Sequence, residues 1–262
     1  MATSFSLSKY YMDAVTEAGE YFIGYFAELQ FAGLYLCYAD TVHSVGIRGH
    51  SQGPKFDRKG APVAAGKSLK WHHAGLGVDG QWEPLCYPVH KELLSSPDGR
   101  VDWHCMQPGS RVHLSTAGGM HVEALGYCER LDLDILPWRL GLQELIWGRF
   151  VSETDTIVWI EWKGEHPRWL LFHNGAPVTL ASLCQSHVQG PDFRLEIEPV
   201  ETLRQGHLGP NILSKVPAVH KLAPAALLQV HEHKQLGRGA LTFQNGKVIE
   251  GWVIHETVVW PE

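Results

Sequence analysis

No stretch of this 262-residue sequence approaches the ~20 consecutive apolar residues that a membrane-spanning helix needs. The opening MATSFSLSKYYMD has neither a basic n-region nor an apolar core, so no secretory leader is expected. There is no CxxC pair. The five cysteines, Cys37, Cys86, Cys105, Cys128 and Cys184, are widely spaced and odd in number. They read as reduced thiols of a cytoplasmic protein rather than a disulfide framework. No Walker-type loop is present, and the glycines Gly75, Gly77 and Gly80 lack the strand-loop-helix frame that cradles a dinucleotide phosphate. A cofactor is therefore not expected, and since no GxSxG nucleophile elbow is read in the chain, neither is serine hydrolysis. A net charge of −6 leaves no basic footprint for nucleic acid.

Helix signals are also sparse. Only Ala223–Lys234 suggests a helix, of about three turns, and Pro224 and its β-branched and His residues weaken it. The span Gly46–Ser68 mixes Gly, Pro, Lys and Arg without periodicity, and reads as a long loop of the kind that often forms a lid.

What the sequence does hold is short alternating or aromatic-rich runs punctuated by Gly, Pro, Asn and Asp, the mark of an all-β chain. Tyr21–Phe31 and Ile157–Trp162 read as strands filled on both faces, and Trp169–His173 runs into Asn174-Gly175, a strong hairpin signal. Leu241–Phe243, the turn 244–247 and a long Val248–Trp260 read as a second hairpin. Ten Trp, eight Tyr and nine Phe predict large apolar surfaces, either core or pocket. A Gly-aromatic-Glu echo at Gly24, Gly126 and Gly251 suggests two similar β units. They divide into 1–134 and 135–262.

Charges inside these runs are the candidate chemistry. Alternation places Glu28 with Phe22 and Phe26, and Glu256 with Trp252, Ile254 and Val258, with His255 on the opposite face. In LPWRLGLQELIWGRF, residues 136–150, Glu144 and Arg149 fall on opposite faces unless a bulge at Gly148 brings them together. A carboxyl held against Trp and Leu has its pKa raised, which makes it a general acid near neutrality. The alternative is that each Glu pairs with Arg130, Arg139, Arg149 or Lys163, or emerges on a solvated face. The pairs His72-His73, His104-Cys105 and His231-Glu232-His233 lack a third ligand at a telling spacing, so no metal is expected. His173, at a strand end, is either a site residue or a support for its turn.

Tyr10-Tyr11-x-Asp13 before a long aromatic strand, PWRLGLQELIWGRF running into IVWIEW, and the closing GWVIHETVVWP together carry a resemblance. In this order they resemble the lipocalin-like superfamily of acyclic carotenoid hydratase, AttH-type proteins, tocopherol cyclase and fungal Diels–Alderases. That resemblance implies two lipocalin-like antiparallel β-barrels packed side by side, with little helix and an apolar cavity. It also implies cofactor-free chemistry on a hydrophobic isoprenoid- or polyketide-derived molecule, by acid-initiated cyclisation or hydration, or by pericyclic closure. Within it, Glu144 is the expected general acid, Trp147 and Trp252 line the pocket, and Glu256 or His255 orients the substrate or accepts a proton. His173, Trp169, Tyr25, Glu28 and Trp103 complete the candidate site. A carrier or sensor of a hydrophobic small molecule is the alternative. Neither class calls for nucleic acid or an integral membrane segment as partner.

Overall fold

A computed structural model describes residues 5–44, 54–56, 60–116, 121–211 and 223–261. It is 70% strand and 6% helix. The all-β expectation holds, and its form is consistent with a lipocalin-like fold. Two compact units divide the chain, Met1–Ile135 and Leu136–Glu262. Among the described residues no helix is long and apolar enough to cross a membrane.

The first unit is a nine-stranded antiparallel sheet. Its strands are β1 (Phe5–Val15), β2 (Tyr21–Phe31), β3 (Leu34–His43), β4 (Val63–Ala65), β5 (Ser68–His73), β6 (Val78–Pro84), β7 (Val89–Ser96), β8 (Gly99–Thr116) and β9 (His121–Leu133). They pair in the order β3-β2-β1-β9-β8-β6-β5-β4, with β7 on β8. Lys55 bridges to Ala39 of β3, and the chain leaving it becomes β4 at the other edge. One segment therefore ties both edges of the sheet. The enclosed face packs Met12, Phe22, Phe26, Trp71, Trp82, Val112 and Leu114. Each buried indole keeps its N–H satisfied: Trp82 donates to the Asp13 carbonyl at 2.8 Å and Trp71 to that of Gly60 at 2.7 Å.

The second unit repeats the plan with β10 (Leu142–Val151), β11 (Thr156–Gly164), β12 (Arg168–His173), β13 (Ala176–Pro177), β14 (Ser182–Cys184), β15 (His187–Gln189), β16 (Phe193–His207), β17 (His231–Phe243) and β18 (Val248–Val259). The order is β13-β12-β11-β10-β18-β17-β16-β15-β14. The stretch 176–189 begins on β12 and ends on β15: Val178 donates to Leu171 and Ala181 to Gln189, both at 2.8 Å. Its inner face packs Phe150, Ile157, Trp159, Leu171, Leu195, Leu241 and Val253. The opposite face is buried too, with Val158, Ile160, Trp162, Leu236 and Ile254 almost inaccessible. That is why IVWIEW carries large residues at every position.

Several expectations are corrected. The helix at 223–234 shrinks to one turn, Ala225–Leu228, because Pro224 can start a helix but the chain from His231 joins β17. The long loop ends early: residues 63–65 and 68–73 are a hairpin, and 45–53 and 57–59 lie outside the described residues. No bulge occurs at Gly148; the irregularity lies between Leu142 and Glu144, and the register from Glu144 to Val151 is regular. Gly148 has another cause, since a Cβ there would run into the Trp159 ring. Asn174 and Gly175 both take positive φ, 50° and 79°, as a tight hairpin turn demands.

Candidate functional site

Strand pairing fixes which charges meet on the face of the second sheet opposite its core. Trp147 of β10 lies opposite Glu256 of β18, Glu256 opposite Lys234 of β17, and Lys234 opposite Arg204 of β16. The next row sets Leu145 beside Val258 and Glu232. The Lys234 ammonium lies 3.0 Å from Glu256 Oε2 and 5.7 Å from the Trp147 ring centre. Arg204 Nε lies 2.7 Å from Glu232 Oε1. Glu232 is only 2% exposed.

Burial first, and then the negative charge of Glu256, push the Glu232 carboxyl up from 4.5 to about 7. Arg204 and Lys234 act against this, and a hydrogen bond to Glu256 adds to it. Two carboxyls in contact cannot both ionise cheaply, which favours the protonated form of Glu232. The result is a buried proton donor whose pKa is drawn toward neutrality.

The expected site residues divide between faces. Trp147, Glu256 and Trp252 share the face of Glu232, though Arg238 already stacks on Trp252 at 3.9 Å. Glu144, Trp169, His173 and His255 belong to the inner face. Lys163 holds Glu144 at 2.7 Å and reaches Glu161 at 3.7 Å. The Lys163 ammonium is held charged chiefly by its hydrogen bond to Glu144. Glu161 also accepts from Trp169 Nε1 at 3.0 Å, and Trp169 is 58% exposed. His173 Nε2 sits 2.7 Å from Asp155, at the other end of β12, with its ring edge-on to Phe193. Burial works to raise Asp155, but its hydrogen bonds from His173 and Thr154 leave it below the usual carboxylate range. His255 is buried, and burial followed by the charge of His233 lowers it to about 4, so it is neutral at pH 7.

In the first unit Tyr25 and Trp103 lie on the face away from the core. Tyr25 meets Tyr11 edge-on at 5.6 Å. Trp103 Nε1 and Tyr127 OH both donate to Glu129 Oε2, at 2.6 and 2.7 Å. Glu28 instead lines an open pocket of about 620 Å³ at one end of the enclosed face, where it accepts from Tyr35 at 2.7 Å. The rest of the lining is mostly polar. Asp132 accepts from Ser8 at 2.6 Å and from Arg130 at 2.8 Å, and His104 lies 3.2 Å away. His90 and His104 stack 4.3 Å apart. Burial, then the charges of Arg130 and His90, lower the His104 pKa. The side chains that line this pocket can hydrogen-bond to a polar group of a ligand.

Sequence reasoning passed over Glu232, Lys234 and Arg204. A strand reading from His231 places Glu232, Lys234, Leu236 and Arg238 on one face, and the helix reading of 223–234 concealed that pattern. Gly49-His50-Ser51-Gln52-Gly53 does have the GxSxG spacing, which the reading of the sequence also missed. It lies outside the described residues; Lys55, soon after it, bridges to β3 as extended chain where a nucleophile elbow would continue into a helix. Among the described residues no three His, Cys, Asp or Glu side chains converge as a metal-ligand set.

No family model and no curated protein matches the chain. Solved structures do. CghA bound to Sch210972 superposes with a TM-score of 0.58 at 9% identity, covering 97% of this chain and 88% of that one. Kievitone hydratase from Nectria haematococca gives 0.55 at 9% identity, covering 97% and 88%. An AttH-like protein from Nitrosomonas europaea gives 0.54 at 8%, covering 96% and 92%. The chain has their fold. At these identities the likeness concerns the fold, and residues such as Glu232 must be argued from their own surroundings.

Proposed function

We propose that this protein is a cofactor-independent enzyme that transforms a small apolar molecule by proton transfer, with Glu232 as the acid. The observation that carries the reading is the contact of the buried Glu232 with Glu256, which with burial raises the Glu232 carboxyl to about 7, Trp147 lying across the strand pair from Glu256. In the proposed cycle Glu232 passes its proton to an alkene or oxygen of the substrate. The cation that results is stabilised by the Glu256 carboxylate and the Trp147 face. Capture by water, or by another double bond of the same molecule followed by proton loss, returns a proton to the carboxylate. The net outcome is hydration or cyclisation. The fold shared with a hydratase supports this class of reaction.

A carrier or sensor is the second reading, and the 620 Å³ pocket of the first unit is the observation in its favour. One experiment separates the two. The protein is incubated in D2O with acyclic isoprenoids and polyenes, and the products are read by mass spectrometry. Acid initiation predicts a rearranged or hydrated product carrying a deuteron on carbon. A product without deuterium points to pericyclic closure, and a ligand recovered bound but unchanged points to a carrier; either result overturns the proposal.

A further inference from the structure

The hairpin β14–β15 lies at the edge of the second sheet and carries a nucleophile–base pair that the acid site does not use. Cys184 and His187 are cross-strand partners on either side of the turn Gln185-Ser186. Direct pairing makes their side chains neighbours. The Cys184 thiol is hydrogen-bonded to His187 Nδ1 at 2.9 Å, and His187 Nε2 to Ser182 Oγ at 3.1 Å. Ser186 Oγ is 3.3 Å from the sulfur. The turn is pinned from behind, because the Ile197 amide donates to the Ser186 carbonyl at 2.8 Å. Val188, on the opposite side of β15, is fully buried. Nucleophile, base and a third group orienting the base are therefore fixed by one anchored hairpin.

We propose that Cys184 is a covalent modification site, at which the thiol activated by His187 forms a mixed disulfide with low-molecular-weight disulfides. His187 takes the thiol proton, and the thiolate attacks one sulfur of the disulfide. The S–S bond breaks and the departing thiolate takes the proton from the imidazolium. A new S–S bond joins Cys184 to one half of the small disulfide, and the other half leaves as a free thiol.

The other cysteines do not compete for this chemistry. Cys37, Cys105 and Cys128 are buried, and Cys86 is half-buried. Burial pushes Cys105 and Cys128 well above the ordinary thiol range, where thiolate is scarce. For the exposed Cys184, the largest single influence, partial burial, raises the pKa. Hydrogen bonds from Ser186 and the backbone, and the charge of Arg194, outweigh it and lower the pKa. The neighbouring strand β16 presents Glu196 opposite His187 and Arg194 opposite Gln189, and these two form an ion pair at 3.2 Å.

The test uses the full chain and an aromatic disulfide that releases a coloured thiolate, with the adduct mapped by mass spectrometry. A single fast thiol per chain is expected at Cys184, absent in Cys184→Ser. His187→Gln, checked for unchanged melting, should slow that phase roughly tenfold at pH 7 and move its pH midpoint upward. The inference fails if the fast phase survives in Cys184→Ser. It fails equally if Cys184 reacts no faster than Cys86, or if His187→Gln leaves the rate–pH curve in place.

Discussion

Glu232→Gln is expected to lower turnover by about a hundredfold or more while leaving the fold intact. Gln keeps the shape of the protonated carboxyl and can still donate to Glu256, so only the transferable proton is lost. The loss should fall on kcat rather than KM, as it does when a group acts in the transition state alone. Wild-type turnover should decline as pH rises through about 7, the value to which burial and Glu256 bring this carboxyl. The same shift sets a stability signature. The folded-state pKa is raised above the ordinary 4.5. The stabilising contribution is therefore complete below about 4.5 and is lost as pH climbs through about 7, on the order of 3 kcal/mol in all. Glu232→Gln has no such titration. Denaturant unfolding at pH 5 and pH 8 should show the variant gaining on the wild type at the higher pH.

Arg149→Ala carries the second large effect, and it bears on structure. The side chain is fully buried, and its Nη1 donates to the Trp252 carbonyl at 2.8 Å. Truncation removes a long side chain from a packed face and leaves that carbonyl without its donor. A loss on the order of 3 to 5 kcal/mol is expected, visible as a lower midpoint in urea. Arg149→Met, which refills the volume without the charge, should lose clearly less. Equal losses from the two substitutions would show that the guanidinium itself holds this face.

Much of the fold is legible in local pattern. Tyr21–Phe31 is β2 residue for residue, because both of its faces are apolar and Gly19 breaks the chain before it. Asn174-Gly175 is a local turn signal, since both residues accept the positive φ that the turn requires. The misreadings come from longer range. Residues 231–234 read as helix because nothing local shows that β18 lies opposite them, and pairing with β18 decides the strand. Gly148 invited a bulge, yet its cause is Trp159, eleven positions away in sequence and directly across the β10–β11 pair.

The candidate site shows the same division. Period two put Glu256, Trp147 and Trp252 on faces that the structure confirms. The principle that an apolar setting raises a carboxyl applies to Glu232, while Glu144 meets the Lys163 ammonium of β11. Which carboxylate has a cation beside it and which has another carboxylate depends on cross-strand register. A single strand does not carry that information.

The central claim is that Glu232 is protonated near neutral pH, and a site-resolved titration tests it most directly. Carboxyl-13C-labelled protein, with Glu232→Gln used to assign the resonance, would be followed by NMR from pH 4 to pH 9. A Glu232 midpoint near 7, coupled to a smaller response of Glu256, is the predicted result. A midpoint near the ordinary 4.5 would contradict it, leaving Glu232 as a carboxylate paired with Arg204 and the protein without its proposed acid.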